Sequence, residues 1–340
     1  MNKIAIVILN WNGLDFLKRF LPIVISHSTH PDIDIYVADN GSTDDSLFYV
    51  KSNHPEIKII SLEKNFGFAG GYNQALKNIK SEYFIILNSD VETTPDWIFP
   101  VINYMDKNKN VAACMPKIIS YKNREYFEHA GAAGGFIDKY GFPFCRGRIF
   151  DQLEKDNGQF NDRKEIFWAT GACLFIRAEL YKSEGGFDDD FFAHMEEIDL
   201  CWRLKNKGYK IVYIPDVAIY HVGGGTLPNE NPHKIFLNFR NNLYLLYKNL
   251  PTKKIFIVFF IRLFLDKLAA IKFLFQGEPK NSFAVFKAYI SFYSNLKSFK
   301  KKRKKLLKFN QNQDHPEILK SSLVYDFFVK RKTTFDKLEF

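Results

Sequence analysis

The chain has 340 residues and 46% hydrophobic content, room for one large domain or two ordinary ones around a substantial core. Its net charge of +10 is uneven: residues 231–340 hold 23 Lys and Arg against 7 Asp and Glu, while residues 1–230 hold 25 against 31, so an acidic front precedes a basic back end suited to a polyanion or an anionic membrane. Its four cysteines form no C-x-x-C pair, which excludes a zinc ribbon or a thioredoxin motif and suggests a reducing compartment.

Met1-Asn2-Lys3 leads into only six apolar residues, Ile4 to Leu9, followed by Asn10-Trp11-Asn12 rather than a cleavage site, so a cytoplasmic chain is expected. That apolar run reads as a buried strand. Leu14, Leu17, Leu21 and Val24 then recur at helical spacing. A second apolar run, Ile33 to Ala38, ends in Asp39-Asn40-Gly41-Ser42, and Ser42-Thr43-Asp44-Asp45 reads as a helix N-cap. Ile57 to Ile60 is a third strand. The glycine-rich turn Asn65 to Gly71 opens a helix through Ala75, Leu76 and Ile79. Tyr83 to Leu87 is a fourth strand, which stops in Asn88-Ser89-Asp90. Strands alternating with helices imply a mostly parallel α/β sheet, with right-handed crossovers bringing Asn10, Asp39 and Asp90 to one edge. A carboxylate there lies where such sheets bind ligands, although Asp90 could instead cap the next helix.

Gly131, Gly134, Gly135, Gly141 and Gly147, near Arg146 and Arg148, read as a mobile loop region or a plain surface insertion. Glu165 to Arg177 reads as one strand, with Thr170-Gly171-Ala172 admitting close approach of a backbone or ligand. Glu196, Glu197 and Asp199 would crowd the first turn of a helix ended by Gly208. Two strand-like runs follow, Tyr209 to Ile214 and Ala218 to His221, before Gly223-Gly224-Gly225.

The chemistry of these side chains is suggestive. Asp90 and His221 both end strand-like runs, and Asp oxygen with His nitrogen suits Mn2+ or Mg2+ better than a structural zinc. Such an ion could neutralise a diphosphate leaving group. Asp39 could accept hydrogen bonds from a base or ribose. Glu197 could take a proton from an incoming hydroxyl, though a solvated helix start is the plainer account of the acidic trio.

Together, Ile8-Leu9-Asn10-Trp11-Asn12-Gly13, Ala38 to Asp44, Asn65 to Asn73, Leu87-Asn88-Ser89-Asp90, Thr170-Gly171-Ala172 and Glu196 to Leu200 resemble family-two inverting glycosyltransferases of the GT-A fold, particularly the bacterial rhamnosyltransferase-like branch. The resemblance covers roughly residues 3–240. It implies donor contacts at Asn10, Asp39, Asn65, Asn88, Ser89 and Asp90, with Asp39 facing the nucleotide base. The family's D-x-D motif falls on Asn88-Ser89-Asp90, making Asp90 a metal ligand, and Asn88 replaces its first acid. His221 matches a metal-binding histidine of some members. The family's E-D-x-D motif falls on Glu196-Glu197-Ile198-Asp199, making Glu197 the catalytic base, with Glu196, Asp199 and Gly171 on the acceptor side or in support. The implied reaction moves a sugar from a UDP- or dTDP-sugar, such as dTDP-rhamnose, to a glycan or lipid-linked hydroxyl in cell-surface polysaccharide synthesis, with inversion.

Two other classes compete. A nucleotidyltransferase or a dehydrogenase would want a glycine-rich loop after the first strand, where Asn10-Trp11-Asn12-Gly13 holds one glycine. A non-catalytic nucleic-acid binder would interleave aromatic with basic residues, and Ser298 to Lys308 contains only Phe299. The expected layout is a catalytic domain over residues 1–240, a helical basic region over 241–310 and a tail over 311–340. Ile255 to Phe275 could span a bilayer by length, but Arg262, Asp266, Lys267 and Lys272 favour lying in the interface. Lys300 to Lys305 would add attraction to anionic lipid, placing the enzyme peripherally on the inner face of the membrane.

Overall fold

The computed structural model describes residues 2–223, 231–308 and 314–340. The chain begins as a doubly covered α/β sheet: β1 (Ile4–Asn10), α1 (Leu14–Ser26), β2 (Ile33–Asp39), α2 (Ser46–Asn53), β3 (Lys58–Ser61), α3 (Gly67–Leu76) and β4 (Tyr83–Asn88). β1 and β4 are nearly continuous apolar runs because both faces are covered by helices. α1 turns Leu17, Phe20, Leu21 and Val24 onto the sheet.

Next come β5 (Val91–Glu92), α4 (Phe99–Lys107), β6 (Val111–Ser120), β7 (Gly135–Asp138), β8 (Pro143–Cys145), β9 (Arg148–Ile149), β10 (Gln152–Leu153), β11 (Lys164–Ile166), β12 (Cys173–Arg177), α5 (Ala178–Ser183), α6 (Glu196–Asn206) and β13 (Lys210–His221). The chain closes with α7 (Pro232–Asn249), α8 (Thr252–Phe275), α9 (Pro279–Leu307), β14 (Ile318–Leu319) and α10 (Leu323–Phe328). Among the described residues the main sheet has the order β11-β13-β6-β12-β4-β1-β2-β3, with β5 paired to β13. β3, β2, β1 and β4 are mutually parallel, and β12 runs antiparallel between β4 and β6.

Four local expectations change. Glu165 to Arg177 is not one strand. β11 lies at the sheet edge on β13 and β12 at its centre, and the chain between them leaves the sheet, with Trp168 Nε1 donating to Phe136 O at 2.9 Å. The glycine-rich middle is not a loop but a second sheet, β10-β9-β8-β7-β14. Its glycines sit at turns with φ of +137° (Gly131), +105° (Gly134), +84° (Gly141) and +96° (Gly147), which other residues rarely adopt. The runs at 209–214 and 218–221 are one strand, β13, bulged around Pro215. Ser42 does not cap α2; Asp44 accepts from Ser46 N at 3.1 Å instead.

α7 runs unbroken through residue 240 and packs along α9 and α6. Residues 314–340 lie against the small sheet, where Phe335 and Phe340 meet Phe136 and Phe144. No helix among the described residues is long and apolar enough to cross a membrane. Gly224 and Gly225 lie outside the described residues.

Candidate functional site

Parallel register places Asn10 beside Asp39, and Leu9 beside Asn88, so three adjacent strands end together. Asp39 is buried at this edge. Its Oδ1 accepts from Asn10 Nδ2 at 3.2 Å and its Oδ2 from Ser42 N at 3.0 Å. Ser42 Oγ in turn accepts from Asn12 N at 2.9 Å, and Asn12 Oδ1 from Thr43 N at 2.7 Å. Asn65 shapes the next turn: its Oδ1 accepts from Gly67 N at 2.8 Å and from Asn40 Nδ2 at 3.1 Å. Asn40, a residue the sequence reading quoted without a role, also donates to Gly67 O at 2.9 Å. The two strand-end loops are therefore fastened to one another.

Asp90 follows β4 by two residues, and the pairing of His221 with Val91 brings β13's last residue to it. His221 Nε2 lies 3.1 Å from Asp90 Oδ1 and 3.3 Å from the Asn88 side-chain amide. On the opposite side of the ring, Nδ1 lies 3.1 Å from Glu128 Oε2. Burial lowers the imidazole pKa, but Asp90 and Glu128 outweigh it and push it up to about 10. Glu128 was missed from sequence. Nothing in its neighbourhood marks it, and it reaches His221 only because β6 pairs with β13 and Glu128 N donates to Ile118 O at 3.0 Å. Ser89 faces the start of α1, its Oγ within van der Waals reach of the Gly13 position.

Glu196 and Glu197 open α6, as expected, but the segment before them is strained. Phe192, His194 and Met195 have φ of 64°, 71° and 73°, backbone that persists only where surroundings fix it. They are fixed from two sides. From α7, the buried Asn241 Nδ2 donates to the carbonyls of Phe191, Ala193 and His194, each at 2.8 Å, and Arg240 donates to Asp190 O and Phe191 O at 3.1 Å. From α3, Ala69 N donates to Phe192 O at 3.0 Å. That contact ties the acid pair to the Asn65–Gly67 turn.

Glu196 is buried and Glu197 half-buried, and each keeps one carboxylate oxygen without a partner. Burial lifts the Glu197 carboxyl to about 7, against the opposing pull of helix-start N–H groups. Burial also lifts Glu196 well above the ordinary range, helped by the charges of Glu197 and Asp199. Both carboxyls of the pair are thus held above the ordinary range, which suits Glu197 to exchange a proton near neutral pH.

Asp199 does something else. It is fully buried and accepts from Arg203 Nε at 2.9 Å, Lys248 Nζ at 2.8 Å and Asn249 Nδ2 at 2.9 Å. These partners outweigh burial and hold its carboxyl below the ordinary range. It anchors α6 to α7. Gly171 packs against Phe68, whose ring Cζ would lie 2.9 Å from any added Cβ. A cleft of about 630 Å³, bounded by Asn73, Asp189, Lys207, Lys302 and Lys305, is lined by none of the expected site residues. Among the described residues, no three His, Cys, Asp or Glu side chains are grouped to hold a metal by themselves; the Asp90–His221 pair has the Asn88 amide as its third neighbour.

The sequence profile of glycosyl transferase family 2 matches residues 5–184, more than half of the chain. The N-acetylglucosaminyl-diphospho-decaprenol L-rhamnosyltransferase of Mycobacterium tuberculosis is 23% identical over 233 residues, covering 64% of this chain and 75% of that protein. The crystal structure of GalNAc-T7 with UDP, GalNAc and Mn2+ superposes with a TM-score of 0.57 at 16% identity, over 73% of this chain and 48% of that one. The mannosyltransferase PcManGT of Pyrobaculum calidifontis, solved with GDP-Man and Mn2+, gives 0.52 at 13% identity, over 92% and 86%. These two likenesses establish the GT-A fold.

Proposed function

The chain belongs to glycosyl transferase family 2 and is a glycosyltransferase, and from that premise we propose that it transfers a sugar from a UDP- or dTDP-sugar to a hydroxyl of a glycan or lipid-linked acceptor, with inversion. The observation that carries the reading is the shared strand edge. Asp39 and its Asn10–Ser42 collar stand at one end of it, and Asn88, Asp90 and His221 at the other. The first suits a nucleoside, the second the diphosphate that joins it to the sugar. The name of the rhamnosyltransferase relative supports a lipid-linked acceptor, which we place in surface-polysaccharide synthesis at the inner face of an anionic membrane. Four buried, unpaired cysteines agree with a reducing compartment.

Asp90 and His221 fit a divalent cation such as Mn2+ or Mg2+ once the imidazole gives up the proton it shares with Asp90, with the Asn88 amide beside them and Glu128 orienting the imidazole from behind. When bound, the ion supplies charge neutralisation for the leaving diphosphate. The chain's own groups do the rest. Asp39 accepts hydrogen bonds from the base or ribose, and Asn65 and Ser89 shape the donor's seat. Glu197 takes the proton of the acceptor hydroxyl as oxygen attacks the anomeric carbon and the diphosphate leaves, and the buried Glu196 beside it helps set the environment of that carboxylate. Asp199 and Gly171 support this arrangement from behind.

Screening nucleotide sugars for protection from melting and for diphosphate release tests the reading. One UDP- or dTDP-sugar should do both. Pyrophosphate exchange with a nucleoside triphosphate would point instead to a nucleotidyltransferase.

A further inference from the structure

α8 has its polarity inverted. Its inward stripe is charged: Arg262 lies 3.0 Å from Asp266, Tyr289 of α9 donates to Asp266 at 2.8 Å, and the Arg262 guanidinium stacks 4.0 Å from the Phe142 ring centroid. Its outward stripe is apolar. Phe256, Phe260, Phe264 and Phe275 are exposed by 83, 66, 61 and 89%, and Ile257, Leu268, Ile271 and Leu274 by about half. Phe283, Phe286, Ile290 and Tyr293 extend the same ridge along the first half of α9, exposed by 51–60%. An apolar surface this continuous on a folded chain marks an interaction site.

We propose that α8 and the first half of α9 form a docking face whose occupant is an anionic bilayer, entered at the depth of its headgroups. Charge selects that occupant. Residues 252–308 contain 15 Lys and Arg and two acids, Asp266, turned inward, and Glu278 at the helix junction. Lys253, Lys254, Lys267, Lys272, Lys280 and Lys287 stand exposed among the ridge residues, with stems long enough to reach phosphate groups while the rings enter the acyl boundary. A second copy of the same face would set these lysines against their own kind, with no exposed acids to answer them.

The same geometry revises the part given to Lys300 to Lys305. Lys302 is committed to Asp188 and to Asp190 at 2.7 Å, and the buried Arg303 donates to Tyr247 O at 2.6 Å and Thr252 Oγ1 at 3.0 Å. This half of α9 is a strut that fastens the docking face to the segment leading into Glu196. Docking would therefore fix the direction in which the acid pair faces relative to the lipid. The face is read from α8 and α9 alone; it deepens the lipid-linked acceptor reading and stands or falls separately from the reaction.

Flotation of the full chain with phosphatidylcholine vesicles, with and without phosphatidylglycerol, tests it. Binding should require the anionic lipid and weaken with salt. Phe256→Ser/Phe260→Ser/Phe264→Ser should lower the partition coefficient by about tenfold or more, and Lys300→Gln/Lys301→Gln/Lys304→Gln/Lys305→Gln by distinctly less. Both variants should bind nucleoside diphosphate as the parent does, which separates docking from donor binding and from folding. No flotation of the parent, equal flotation of the aromatic variant, or a lipid-free dimer abolished by those Phe substitutions would each overturn the proposal, the last in favour of a second copy.

Discussion

Replacing Glu197 by Gln should separate chemistry from stability, with effects of opposite sign. Burial moves this carboxyl from 4.5 to about 7, so the fold disfavours its ionised form. For a group raised in the folded state, stability present below the unfolded pKa is lost as pH rises through the folded one. A shift from 4.5 to about 7 is worth about 3 kcal/mol once the folded carboxyl ionises, at about 1.4 kcal/mol per unit. At pH 5 about 1 kcal/mol of that is felt. Gln keeps the shape and cannot ionise. Glu197→Gln should therefore be more stable than the parent at pH 8 by up to about 3 kcal/mol, and within about 1 kcal/mol of it at pH 5. Turnover should fall by about 10²–10⁴-fold with donor binding intact. Denaturant unfolding at the two pH values, turnover, and calorimetry with the nucleoside diphosphate read all three. Undiminished turnover would refute the proton-accepting role. A stability difference that does not change with pH would refute the buried-carboxyl argument. A dead Glu196→Gln beside a normal Glu197→Gln would reverse the roles within the pair.

Other outcomes follow from the same geometry. Asp90→Asn should lower turnover by orders of magnitude without unfolding the chain, and full activity of both parent and variant in EDTA would reject a metal role; His221→Ala should act in the same direction. Glu128→Gln, which loosens the imidazole from behind, should cost about 10–100-fold in metal affinity or activity, read by titrating Mn2+ against turnover. Asp39→Ala should weaken binding of the free nucleoside diphosphate by roughly 1.5–3 kcal/mol in calorimetry. Asn241→Ala takes the side-chain donor from the Ala193 and His194 carbonyls of the strained loop, while Phe191 O keeps Arg240 and Ala193 N, and should destabilise by about 2–4 kcal/mol in a denaturant melt, with turnover falling more than donor affinity.

The first half of the fold was legible because its strands announce themselves. β1, β2 and β4 are short apolar runs ending in polar residues, and a parallel sheet must align such ends at one edge. That alone brought Asn10, Asp39 and Asp90 to one edge, where register puts Asn10, Asp39 and Asn88 at the strand ends and Asp90 two residues beyond. Direction was not legible: the apolar run of β12 carries no sign that it lies antiparallel between β4 and β6. The small sheet was hidden because strands of two to four residues are too short to show a period, and its turn glycines imitate a loop. Glu128 and Asn241 act through contacts distant in sequence, so no local pattern marks them. In α8 the charges were visible but their side was not. Arg262 and Asp266 count against a membrane only while they are imagined to face it.

Single displacement at the anomeric carbon by a base-activated hydroxyl leaves its mark on the product, which nuclear magnetic resonance reads when one nucleotide sugar reacts with its acceptor. One nucleoside diphosphate should be released per sugar transferred, and the anomeric configuration should be opposite to the donor's. Retained configuration, or transfer that persists at parental rate in Glu197→Gln, would contradict this mechanism.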